Sequence, residues 1–289
     1  GPAGGTDTVG LSASNLGFTL LLFDNAGTTY TAMTMTSGPA TLGGSELSLS
    51  MTSIGVTLNR TSDSGNANLV LDLDPLGGAG HSVTPAVGPS LVIDGAQGSL
   101  LDVSGSGSTN AFGLVTLDGT FAFRKASDTF ATAAGSFTAD YLAIGATING
   151  AFVGVNGLGL SLGDATDSAN NVEVGVLLVS DGTNNYTALK ASASAEFTGI
   201  PGLDATLTSA TLAMNQTSAA DKNAVLDFSS STFALPGTSL VLDFDAADGG
   251  LIEAQASMSL DAFGLVTLDG TFAFRKASGQ FQTEGGTPF

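Results

Sequence analysis

The sequence predicts an all-β fold, an elongated repetitive β-structure, on three observations. The stretch AFGLVTLDGTFAFRKAS at 111–127 recurs unchanged at 262–278, seventeen residues (127 − 111 + 1) at a register of 151 (262 − 111). An identity that long marks the chain as part of a repeat array. Apolar and polar residues alternate in YTAMTMT (30–36), LSLSM (47–51) and ASMSL (256–260), the period of a half-buried strand. Turn residues punctuate these runs densely (Asp24-Asn25, Asp94-Gly95, Asp181-Gly182, Asp248-Gly249-Gly250), and no segment sustains a 3.6-residue apolar period.

Taken in order, the segments of the first unit each find a counterpart. LLFDNAGTTYTAM (21–33) matches LLVSDGTNNYTAL (177–189), with Tyr30 over Tyr186. LSLSMTSIGVTLNRTS (47–62) matches LDATLTSATLAMNQTS (203–218), LVLDL (69–73) matches AVLDF (224–228), and SLVID (90–94) matches SLVLD (239–243). The register drifts between 149 and 156 residues, as variable loops allow. In the 47–62 segment, Leu47, Leu49 and Met51 are odd-numbered whereas Ile54, Val56 and Leu58 are even. The same switch separates Leu203, Ala205 and Leu207 from Ala210, Leu212 and Met214. A strand changes parity only at a bulge or a corner, so one is expected at Thr52-Ser53 and at Thr208-Ser209.

The duplicated stretch reads either as a hairpin turning at Asp118-Gly119 or as one long strand. The straight strand segregates polarity better. It places Val115, Leu117, Phe121 and Phe123 on one face, expected to point inward, and Thr116, Asp118, Thr120 and Arg124 on the other. The expected organisation is a cloning remnant and linker at 1–5, with Gly1-Pro2 as a protease scar, a first unit at 6–127 and a second at 128–278. Residues 279–289 begin a third unit or tail, because SGQFQTEGG echoes SDTFATAAG. The parity switches, taken as corners, favour a β-solenoid-like stack, with tandem antiparallel β-sandwich modules as the alternative.

Composition narrows the function. Of 289 residues, 40 are Gly, 43% are hydrophobic and only 11% are charged, which is too apolar for a disordered linker. A net charge of −19 would repel nucleic acid and anionic membrane surfaces, so neither is an expected partner. Cysteine is absent, which removes disulfides and thiolate metal sites. No apolar run is long enough for a membrane helix, and without Trp and with 3 Tyr no aromatic girdle of an outer-membrane barrel is expected. No membrane insertion by this segment is expected.

Few residues invite chemistry. His81 is the only histidine and lies in a Gly/Pro-rich stretch without a counterpart, so it reads as a loop residue rather than a triad member or metal ligand. Asp243, Asp245 and Asp248 in LDFDAADGG are the best metal candidates, since closely spaced carboxylates followed by Gly can wrap Ca²⁺. An acidic solvated turn is the competing reading. Arg124-Lys125 and Arg275-Lys276 hold four of the seven basic residues and are expected to neutralise carboxylates on a neighbouring unit, with contact to an anionic ligand as the alternative. Glycosylation sequons at Asn59, Asn185 and Asn215 are expected by accident in so Ser/Thr-rich a chain. Phosphate-binding loops and nucleophile elbows are absent, and no enzyme is expected.

The motifs LLxxDG…YTA, ATLTSATLxMN and FGLVTLDGTFAF resemble the tandem repeats of very large bacterial surface or secreted proteins, often adhesin-like. The resemblance implies an extracellular stalk, filament or spacer serving cell-surface attachment or cell–cell contact. Its partners would be neighbouring repeats of the same chain and cell-surface glycans or other cells. The alternatives are a Ca²⁺- or glycan-binding adhesion module and a polysaccharide-degrading enzyme on a β-helical scaffold.

Overall fold

The computed structural model of the chain describes residues 10–43, 47–74, 81–111, 114–155, 157–163 and 171–277. The expected remnant at 1–5 and tail at 279–289 lie outside them. Among the described residues there is no α-helix, and nearly every strand joins one large antiparallel sheet.

In the first unit the strands are β1 (Gly10–Ala13), β2 (Gly17–Asn25), β3 (Thr28–Ser37), β4 (Ala40–Gly43), β5 (Leu47–Thr61), β6 (Leu100–Ala111) and β7 (Val115–Thr132). A long strand, β8 (Gly135–Val155), leads into the second unit. There β9 (Leu158–Leu162), β10 (Val172–Ser180), β11 (Asn185–Thr198) and β12 (Leu203–Thr217) repeat the opening strands. After the short β13 (Leu226–Asp227), β14 (Phe233–Ala234) and β15 (Val241–Leu242), β16 (Leu251–Ala262) and β17 (Val266–Lys276) close it. The main path is a meander, β2-β3-β5-β6-β7-β8-β10-β11-β12-β16-β17, each strand antiparallel to the next.

The parity switches are β-bulges. Pairing of β5 with β6 jumps between Met51 and Ser53, and pairing of β12 with β16 jumps between Leu207 and Ser209. The extra residue lets the apolar side chains before and after it stay on one face of a continuous strand, so the Thr-Ser pairs are not corners. From Val115 and from Val266 on, the duplicated stretch is a straight strand, β7 and β17, with no turn at Asp118-Gly119 or Asp269-Gly270. Its first residue, Ala111 or Ala262, ends the preceding strand, and 263–265 form the turn between β16 and β17. β7 runs on to Thr132, through the expected unit boundary at 127/128.

The two faces of the sheet differ in chemistry. One carries an apolar row whose members are successive ladder partners: Phe18, Met35, Val56, Val103, Phe123 and Ile144, continuing through Val176, Leu189, Met214 and Ile252. The other face mixes small and polar residues with a few large buried ones, Phe130, Tyr141 and Leu177 among them. It receives two irregular crossovers, described at 62–74 and 81–99 in the first unit and at 218–250 in the second. The core lies under these crossovers. Leu73, Leu91 and Ile93 from the first and Leu226, Phe228, Leu235, Leu242 and Phe244 from the second bury against Ala32, Ala126, Phe130, Tyr141, Ala143, Leu177 and Ala188. Each fully buried leucine contributes about 2 kcal/mol by leaving water.

This corrects the expected inward face of the duplicated stretch. On β7 the buried side chains are Ala122, Ala126 and Phe130, whereas Phe121, expected inside, is 43% exposed. The physical reason is backbone approach. The β14–β15 segment lies so close to the sheet that a Cβ at Gly145 would strike the Pro236 carbonyl and one at Gly175 would strike Leu235. Only the small-residue side of the sheet accepts a chain that near.

The units share a repeated internal fastening. Asn59 and Asn215, both essentially inaccessible, donate Nδ2 to the carbonyls of Leu71 and Leu226, each at 2.7 Å. They tie each crossover's outgoing arm to the sheet. The Leu73 and Phe228 amides then bond the carbonyls of Ile93 and Phe244, joining outgoing and returning arms.

Candidate functional site

The returning arm of each crossover ends in a 3-10 turn, 95–97 or 246–248, and the metal candidates fall here. Asp245 caps its turn by accepting from the Ala247 amide at 2.8 Å, as Asp94 does from Ala96 at 2.9 Å. The structural equivalent of Asp94 is therefore Asp245, two residues beyond the match that the SLVID/SLVLD alignment suggests. Asp243 pairs with Lys190 Nζ at 2.6 Å, and Asp248 pairs with Arg275 at 2.6 Å. Each of the three carboxylates thus has its own protein partner. Among the described residues, no group of three or more His, Cys, Asp or Glu is arranged to hold a metal ion. His81 is exposed.

The arginines serve their own units, not the neighbouring unit as expected. Arg124 pairs with Asp102 on the adjacent strand through Nε at 2.7 Å. Arg275 faces the equivalent Glu253 at 3.6 Å besides Asp248. The neighbours that decide these partners are separated by 22 residues in the chain, so the sequence pattern concealed them.

Three turns hold their carboxylates well ionised, one of them at Asp63, lowered mainly by the Asn66 side chain and the Gly65 amide. Asp181 is drawn down to about 2, first by the Asn184 amide, then by the Thr183 amide, the Asn184 side chain and the Tyr186 hydroxyl. Asp227 is also lowered, mainly by the Ser229 amide and hydroxyl. All three are turn-forming carboxylates, held by amides and side chains of their own turns. Burial raises the Tyr141 hydroxyl beneath the second crossover.

A signal that sequence reasoning missed lies where the units meet. The second crossover reaches back over β7 and β8: Phe233 packs on Phe130 and Tyr141, with ring centroids 6.4 and 5.3 Å apart. Glu173 on β10 accepts from the Ser239 amide at 2.7 Å and the Ser239 hydroxyl at 2.6 Å, and from Thr147 on β8 at 3.0 Å. Thr147 and Thr120 also reach the Gly237 carbonyl, at 2.8 and 3.4 Å. One strap therefore clamps β7, β8 and β10. Glu173 has no counterpart within the quoted repeat motifs, so nothing in them pointed to it.

Two surfaces remain open. A groove of about 710 Å³ on the polar face is lined by Thr116, Asp118, Phe152, Ser194, Glu196 and Thr206. Asp118 there accepts from Asn149 at 3.0 Å. The lining is rich in hydrogen-bonding groups. The apolar face is uncovered among the described residues, with Phe18 61% and Phe272 59% exposed. No helix among the described residues is long and apolar enough to cross a membrane.

Fold and surfaces together define a repetitive, all-β protein built on one open antiparallel sheet. Comparison with protein-family models, with curated proteins and with solved structures finds no match for this chain.

Proposed function

We propose that the chain is a structural repeat segment, a stalk, filament or spacer, of a very large extracellular bacterial protein that takes part in cell-surface attachment or cell–cell contact. The observation that carries this reading is the junction between units. β8 is hydrogen-bonded to β7 on one side and β10 on the other, and the second unit's crossover clamps all three. Each unit thereby completes the one before it, the logic of a repeat array whose stability is local and whose length is unrestricted. The partners in this reading are neighbouring repeats of the same chain, and the segment carries no catalysis. Whether the array coils as a β-solenoid-like stack belongs to the same proposal, and an elongated form is its common expectation.

Small-angle scattering on the chain and on a fusion of two copies tests the reading. The path β8-β10-β11-β12-β16-β17 adds six strands per unit, so the longest dimension should grow by about 29 Å per unit at about 4.8 Å per strand. A fusion that stays as short as the single chain would sink the spacer role. A second reading, a glycan-binding adhesion module, is favoured by the Asp118–Glu196 groove and its hydroxyl-rich lining. Glycan binding lost on Glu196→Gln would support it. A melting temperature unchanged by Ca²⁺ or EDTA would remove Asp243, Asp245 and Asp248 as a calcium site.

A further inference from the structure

The outer edge of β17 is the same in sequence as an edge whose occupant is visible elsewhere in the molecule. Residues 266–276 repeat 115–125 without a change, and 115–125 is the part of β7 whose second edge is bonded to β8. β17 is bonded to β16 as β7 is to β6, with the same pairing: Val115 faces Ala111 and Val266 faces Ala262. Among the described residues nothing pairs with its other edge, and all eleven of its residues are exposed.

A glycine supplies an independent mark of what belongs there. Against β7, β8 carries a bulge: Asp118 pairs with Gly150 and Gly119 with Ile148, leaving Asn149 as the extra residue. The bulge drives the β8 backbone onto Gly119, where a Cβ would strike the Thr147 carbonyl and come within 3.2 Å of the Ile148 Cα. Gly119 is therefore required by β8 and by nothing in its own strand, since its φ is not in the left-handed region. Gly270 is the same residue in the same strand, yet a Cβ there meets nothing within 4 Å.

We propose that the free edge of β17 is a docking site for a strand of the Gly135–Val155 type, supplied by a further repeat, in the register β8 takes on β7. The proposal rests on the repeat-array reading and specifies how its units join. In that register Val266 faces a residue like Val153, Phe272 one like Ala146, and Phe274 one like Ile144. Gly270 receives the bulge. The interaction is strand addition, in which main-chain hydrogen bonds supply affinity and side-chain fit supplies register. The inserted strand has a second edge, which in this chain bonds β10. β2 is the first unit's counterpart of β10, and among the described residues it pairs only with β3. One such strand can therefore lie between β17 of one unit and a β2-type strand of the next, making the array a single continuous sheet.

The test adds a synthetic peptide of residues 135–155 to the full chain and follows amide hydrogen exchange segment by segment. Exchange at 266–276 should slow to the level of 115–125, and a peptide of the same composition in scrambled order should leave it unchanged. Gly270→Val should preserve the fold and abolish the response. A second arm joins residues 128–155 directly after Ser278 in place of 279–289, which removes any dependence on peptide solubility. Unchanged exchange at 266–276 in that extended chain, or equal protection in wild type and Gly270→Val, overturns the proposal. Scattering dimensions that still lengthen per unit while β17 stays unprotected would retain the spacer reading and reject only this joint.

Discussion

β7 and β17 contain the same eleven residues, VTLDGTFAFRK, and live in different surroundings. On the uncovered apolar face the difference is small: Phe121 is 43% exposed and Phe272 is 59%. On the crossover face it is large, because Ala122 is buried whereas Ala273 is exposed. The difference comes from neighbours, not composition. β7 has β8 beside it and the Phe233–Gly237 strap over it, both lying later in the chain, while β17 has neither among the described residues. Burial of one unit's last strand is thus conferred by the unit that follows.

The glycine pair should separate the two strands most sharply. Gly119→Val forces a side chain into the β8 backbone and should destabilise by about 3 kcal/mol, whereas Gly270→Val should stay within about 0.5 kcal/mol of wild type in urea denaturation. Equal losses at the two positions would break the comparison. Next come the buried asparagines. Asn59→Ala and Asn215→Ala each strip a buried carbonyl of its donor and should cost about 1–3 kcal/mol. The same burial predicts that, in a host that glycosylates sequons, only Asn185 acquires glycan, which peptide mass mapping would show. A glycan on Asn59 or Asn215 would contradict their burial.

The arginine pair should differ less. Arg124→Ala loses a two-bonded contact to Asp102 and should cost about 1 kcal/mol, while Arg275→Ala, half exposed, should cost about half that or less. The smallest effect is electrostatic and is strongest at the second unit's Asp181 turn. Its folded value of about 2 lies below the ordinary 3.8, so its contribution is fully present above pH 4 and is lost as pH falls through about 2. Carboxyl NMR should place its midpoint near 2, and Asp181→Asn should flatten stability over that window.

Much of the architecture was legible along the chain. Alternation announced the strands, identity announced the repeat, and the parity switches located both bulges because a period of two leaves no other way to keep one face apolar. The fastening of crossover to sheet was less legible. Asn59 and Asn215 drew notice only as sequons, since a sequence does not show that Leu71 and Leu226 pass over them. Glu173 drew none, because its partners lie 26 and 66 residues away. For the three aspartates at 243–248, spacing reports proximity and not partners. Lys190 and Arg275, from two different strands, hold two of them.

The sequence by itself determined that this chain is β throughout, that it repeats, and which side chains share a face. Those follow from local sterics and a two-residue period, which neighbours along the chain fully express. Only the tertiary structure decided which face is buried. The apolar side chains of the duplicated stretch mark one face as the core, yet the crossovers settle on the other. A backbone can lie flat on Ala122, Gly145 and Gly175, and cannot lie so close over Phe121, Phe123 and Ile144.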